Sequence, residues 1–299
     1  MNSEVVGTLG PILNHLSAFS FDPIPLSSIV LSSIAYVFLF RKRITLKSLP
    51  HFGWMRLASF LAGNLITFIS VESVIGVYDD VLFVDHMIQH LLLVMVAGSL
   101  YAMSAPLDLL STATSGKLNI VINRALDSNV AQVVGHPLFG FISYAILIPV
   151  THLTSLYNLT LEYQFLHEGE HIAFIVVGYL FWRPVVGIEP SKHPLYPGVR
   201  LLYLMLAVPI DTFTGVVLNS ATYEMFSYYL TFKRSWGPSR IQDLQAGGVA
   251  MWLGGDSLMA FAMIPVIKNW ITTDEKRQIQ IDADLDEIEA RNPEGSSPS

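Results

Sequence analysis

The stretch DHMIQHLLLVMVAGSLYAMSA, residues 85–105, decides the fold. Beyond Asp85, His86, Gln89 and His90 at its head it is apolar or small almost throughout, and its length matches the ~20 residues that carry a helix across a hydrocarbon core. A core helix of a soluble domain would keep a polar face along its whole length, and this one keeps polarity at one end only.

Six more blocks of comparable length surround it. Together they predict spans at about residues 24–40, 56–78, 84–105, 137–156, 168–188, 200–220 and 246–268, with proline or glycine at most junctions. The 299-residue chain is 52% hydrophobic and only 14% charged, which fits a multi-pass protein in a lipid bilayer. The expected fold is therefore all-α and membrane-integral: a seven-transmembrane-helix bundle over 24–270, an extracytoplasmic leader at 1–23, and an acidic, flexible cytoplasmic tail at 271–299. The net charge of -7, with much of the acid in that tail, excludes nucleic acid as a partner.

Orientation follows from lysine and arginine in the short loops. Arg41, Lys42, Arg43, Lys47 and Arg56 lie between the first two spans, Lys117 and Arg124 after the third, Arg183, Lys192 and Arg200 around the fifth-to-sixth connection, and Lys268, Lys276 and Arg277 after the seventh. With seven spans these share one side, so the N-terminus is predicted outside and the C-terminus in the cytoplasm. Lys233, Arg234 and Arg240 run against this pattern.

That topology gives the polar residues a depth. His86 and His90 sit one turn apart at the outer end of the third span; His167 and His171, in HEGEH, repeat the spacing on the fifth; His152 ends the fourth. Five of the nine histidines thus fall in one outer layer. A lone membrane histidine most simply bonds helix to helix, but two i,i+4 pairs form preset chelates, and ionisable groups in a bilayer default to function. The chain has no cysteine, so thiolate metal sites are excluded and a metal must be held by His, Met, Asp or Glu. The candidate ligands are His86, His90, His152, His167, His171, Asp243 and Met87, with Met251 and Met225 as further thioethers that would favour Cu(I). Haem fits poorly, because two histidines one turn apart cannot be opposite axial ligands of one porphyrin. HEGEH also fits His-x-x-x-His with Glu168 second, the pattern of zinc hydrolases, which leaves an intramembrane zinc hydrolase open, as it leaves a copper or small-cation transporter. Asp85 reads as the N-cap of its helix.

Six segments together carry a resemblance: HMIQHLLL (86–93), SAPLDLL (104–110), HPLFG (136–140), HEGEH (167–171), LFWRPVVG (180–187) and DLQAGGVAMW (243–252). In these the chain resembles the membrane-integral CtaG-type assembly factors of cytochrome c oxidase, over about residues 20 to 270. The resemblance implies a non-enzymatic role in maturing a haem–copper oxidase in the plasma (inner) membrane, with copper handled on the extracytoplasmic side; zinc stays the alternative metal from the HEGEH pattern. It carries His86, Met87, His90, His167, His171 and Asp243 as motif positions and Trp252 as a packing residue. It also implies oxidase subunits and a periplasmic or extracellular copper donor as partners.

Overall fold

A computed structural model describes residues 18–45, 53–231 and 233–291. Among these the regular elements are helical, in the order α1 (Pro23–Thr45), α2 (Gly53–Glu72), α3 (Val74–Tyr78), α4 (Phe83–Leu91), a π-helical turn (Leu92–Ala97), α5 (Gly98–Ser104), α6 (Pro106–Ala113), α7 (Gly116–Leu126), α8 (Asn129–Val134), α9 (Pro137–Leu153), α10 (Leu156–Glu162), α11 (Gln164–Val186), α12 (Pro197–Asn219) and α13 (Arg240–Arg291). The expected leader and the last tail residues, 292–299, lie almost wholly outside the described residues.

Among the described residues, five segments are long and apolar enough to cross a membrane: Pro23–Ile44, Gly53–Tyr78, Phe83–Ala113, Pro197–Asn219 and Arg240–Ile288. A sixth is reached if α9 and α10, bent by 74°, count as one span. The bend falls at Thr154, whose extended backbone ends α9 and whose hydroxyl accepts from the amide of Leu156. The remaining expected span, 168–188, coincides with α11. That helix has the length, but His167, Glu168, Glu170, His171 and Arg183 dilute its apolar character.

The α4–α5 rod is central, packed by α2, α11 and α13. Its approach to α11 is backbone against backbone. A Cβ at Gly98 would lie 2.7 Å from the carbonyl carbon of Gly178, and one at Gly178 would lie 2.5 Å from the Val94 oxygen. Only glycine tolerates that contact. The π-helical turn leaves the Val94 carbonyl available there, and the Trp182 indole on α11 donates to it at 3.2 Å.

One expectation changes. Asp85 is not the cap of α4: Leu82 holds the N-cap position without a side-chain bond, and Asp243, on α13, accepts from the amides of Phe83 and Val84 at 3.1 Å each. A carboxylate 159 residues away in sequence reaches both free amides from a helix packed alongside. Beyond residue 270, α13 continues to Arg291 with its last turns solvent-exposed.

At the end of the bundle remote from His86, His90, His152, His167 and His171, opposite charges meet. Arg43 and Arg56 converge on Asp108 at 3.1 and 2.6 Å, and Arg183 pairs with Glu189 at 2.7 Å. Glu189 also accepts from the amides of Leu107 and Asp108 at the start of α6. Two of the three cations that break the loop-charge pattern have structural work: Arg234 is bound to Asp243 at 3.1 Å, and Arg240 lies 3.8 Å from Glu224.

Candidate metal centre

The two i,i+4 pairs meet. On α4, His86 and His90 have ring centroids 4.2 Å apart; on α11, His167 and His171 are 4.4 Å apart. Across the helices His86 stacks on His167 at 5.2 Å, and His90 lies 6.3 Å from His171. His152, at the end of α9, completes the group: its Nε2 shares a hydrogen bond of 3.1 Å with His90 Nδ1. Its own Nδ1 is fixed by the Ile148 carbonyl at 2.7 Å. All five imidazoles expected in one layer form one cluster.

The cluster is sealed by aromatic rings. His90 stacks on Phe174 at 4.1 Å, and Tyr157, from the bent segment α10, lies 5.0 Å from His86. Tyr157 and Tyr229 join through their hydroxyls at 2.8 Å, and Tyr229 donates to the Asp79 carbonyl, so α10, the Ser227–Thr231 turn and the α3–α4 turn close over the site together.

Two carboxylates complete the donor set. Glu170 is buried on α11 with its Oε2 3.8 Å from His90 Nε2; Asp79, in the α3–α4 turn, has its Oδ2 3.7 Å from His167 Nε2. His86, His167 and Glu170 offer ligand atoms all within 4.8 Å of one another, as do Asp79, His167 and His171. Donors on one ion at ~2 Å bonds sit roughly 3–4 Å apart, so small side-chain rotations close either set. Burial pushes the Asp79 carboxyl up to about 7, against the lowering effect of its bond from Gln89. Gln89 orients a second group as well, because its Oε1 lies 2.9 Å from His171 Nε2.

Buried polar atoms without a standard hydrogen bond also occur elsewhere among the described residues, on Glu72, Tyr203 and Asp256 for example, but they are most concentrated here. Both ring nitrogens of His86, Nε2 of His90 and His167, and both oxygens of Glu170 are buried without a hydrogen bond of standard geometry. Leaving one such group unsatisfied costs ~1–3 kcal/mol, and buried polar atoms in folded proteins are otherwise almost always paired. Nitrogen and carboxylate donors in this number suit a first-row transition ion such as copper or zinc.

The other predicted residues are placed elsewhere. Asp243 is engaged with Arg234 and the α4 amides. Met87 is buried against Gly247 and lines a small cavity with Met251, His90, His152 and Asp211; Met225 lies by Asp243. Glu168, half-buried on α11, accepts from Gln164 at 3.2 Å and belongs to neither donor group. Outside the predicted set, the two Asp211 oxygens share the Tyr144 hydroxyl proton, and Glu72 accepts from the Ser20 hydroxyl and the Asp22 amide.

Glu170, Asp79 and Gln89 were not among the sequence candidates. Glu170 could have been found, since it lies three residues after His167 and so on its face of the helix. Asp79 could not, because a turn residue declares no facing.

Residues 34–273 match the family described as cytochrome c oxidase caa3 assembly factor. Among curated proteins, the chain is 27% identical over 252 residues to an uncharacterized protein of Mycobacterium bovis and, equally, to one of Mycobacterium tuberculosis. It is 24% identical over 239 residues to an uncharacterized protein of Mycobacterium leprae. These matches cover 77–79% of this chain but 36–38% of the relatives, so the chain spans less than two fifths of their length. No solved structure matches the chain.

Proposed function

Because the chain belongs to the cytochrome c oxidase caa3 assembly factor family, we propose that it serves the maturation of a haem–copper oxidase by holding copper at the imidazole cluster and passing it on. The observation that carries this is the set of buried, unpartnered imidazole and carboxylate atoms contributed by α4 and α11. His86, His167 and His171 are the proposed principal ligands, with Glu170 and Asp79 as oxygen donors. His90 and His152, bonded to each other, support the group one turn deeper.

The proposed topology has seven spans in the plasma membrane, α11 among them, with the N-terminus outside. The cluster then faces the extracytoplasmic side. Copper is cargo here: imidazoles hold it without thiols that an oxidising compartment would attack, and ligand exchange passes it to an oxidase subunit after uptake from a donor on the same face. The role is non-enzymatic, and Glu168 supports that reading, since it bonds Gln164 and belongs to neither donor group, whereas a zinc hydrolase would need it at the metal as general base.

Zinc is the second reading for the metal. The His86–His167–Glu170 group supports it, because two histidines and a carboxylate are a donor set that zinc also uses. Metal analysis of protein purified from cells and reloaded with copper or zinc decides between them. Copper at a fixed ratio, lost in His86→Ala/His167→Ala, together with oxidase activity that fails without the gene and returns with wild type but not with the variant, supports the proposal. Metal at background in wild type, or full oxidase rescue by the double variant, overturns it.

A further inference from the structure

At the opposite end of the bundle a cleft of about 440 Å³ opens between the α5, α11 and α13 helices. Its walls are apolar, with Met95, Trp182, Leu258 and Pro265 among them, and Arg200 and Asn269 sit among the lining residues. The volume falls within the ~300–1,000 Å³ of small-ligand sites. Arg200, half-buried near the start of α12, donates only to the backbone carbonyls of Leu195, Val185 and Val186. It is in no ion pair among the described residues, unlike Arg43, Arg56 and Arg183 nearby in the fold. Glu189, which shares a smaller cavity with Arg200, is already bound to Arg183 and Tyr179 and to two α6 amides.

A guanidinium without an anion, beside an apolar cleft in a helix bundle built for a bilayer, fits an amphiphile with a negative head and a hydrocarbon tail. We propose that this cleft is a binding site for one anionic phospholipid, its phosphate on Arg200 and one acyl chain along Trp182 and Leu258. Val185 and Val186, whose carbonyls hold Arg200, lie fourteen and fifteen residues beyond His171 on α11, about 21 Å along the axis, so the charged mouth of the cleft is remote from the imidazole cluster, while its apolar wall reaches Met95, which also lines the small cavity beside His90.

The test uses the full chain, purified and exchanged into nanodiscs of phosphatidylcholine containing a minor share of phosphatidylglycerol, then released into neutral detergent for native mass spectrometry. One phosphatidylglycerol is expected to stay bound to wild type in preference to phosphatidylcholine. Arg200→Gln should lower its apparent affinity about tenfold or more, the order of one charge-assisted hydrogen bond. Since Arg200 also ties down the end of α11, Ala262→Phe is the control for misfolding: it fills the cleft, leaves Arg200 intact and should lose the lipid equally while the far-ultraviolet helix signal persists. Equal retention of both lipids by wild type, or unchanged phosphatidylglycerol binding in both variants, overturns the proposal.

Discussion

The two ends of this bundle handle buried polarity in opposite ways. At the arginine end each acidic group meets a cation: Asp108 holds Arg43 and Arg56, and Glu189 holds Arg183 while accepting two helix-starting amides. At the histidine end five imidazoles and two carboxylates crowd together with no arginine or lysine among them, and six of their buried atoms lack a hydrogen bond of standard geometry, against one Nε each on Arg43 and Arg183. Buried polarity closed on itself fixes a structure, while buried polarity left open costs stability and persists where a ligand completes it. The contrast separates residues that build the bundle from those proposed to hold the metal.

The largest effect is expected at the closed end. Glu189→Ala strands Arg183 and frees the α6 amides, and removing one partner of a buried ion pair costs ~3–5 kcal/mol. Yield of folded protein and Tm in detergent should fall sharply, with no rescue by added metal. Asp243→Asn is next: it keeps an acceptor for the α4 amides but loses the charge facing Arg234, a cost of ~1–2 kcal/mol in thermal unfolding. Metal content should fall only in proportion to folded protein, because Asp243 positions α4 and does not touch the cluster.

At the open end the sign reverses. His86→Leu removes two unsatisfied nitrogens, so the metal-free protein should unfold within ~1 kcal/mol of wild type or at higher temperature, while bound metal drops at least about tenfold. A large loss of metal-free stability would instead make His86 a structural residue and erase the contrast. The pH dependence is gentler. The Asp79 carboxyl, raised to about 7, is protonated in the metal-free protein below that pH and charged above it. Metal affinity should therefore strengthen as pH rises through 7, and Asp79→Asn should flatten that dependence in a competition titration. Glu168→Gln, at a half-buried side chain bonded only to Gln164 one turn before it, should change neither metal content nor unfolding free energy beyond ~0.5 kcal/mol.

Much of the open end was legible because helical periodicity is a local property. Spacing of four put His86 with His90 and His167 with His171 on their own faces, and the apolar runs set the level at which each pair enters the bundle. Asp243 was legible as a buried acid but not as the cap of α4, since the amides it serves belong to a helix distant in sequence. Met87 shared the motif but points one residue step around the helix, toward α13. Arg234, which broke the loop-charge pattern, answers to a carboxylate that only packing brings near.

The sequence by itself determined the helical class, the apolar segments and the two imidazole pairs, because composition and periodicity act within one helix. The tertiary structure alone decided that the pairs face each other and that His152, Glu170 and Asp79 join them. The physical reason is the contact of Gly98 and Gly178 across a π-helical turn, which lets two backbones approach closely enough for imidazoles on separate helices to stack.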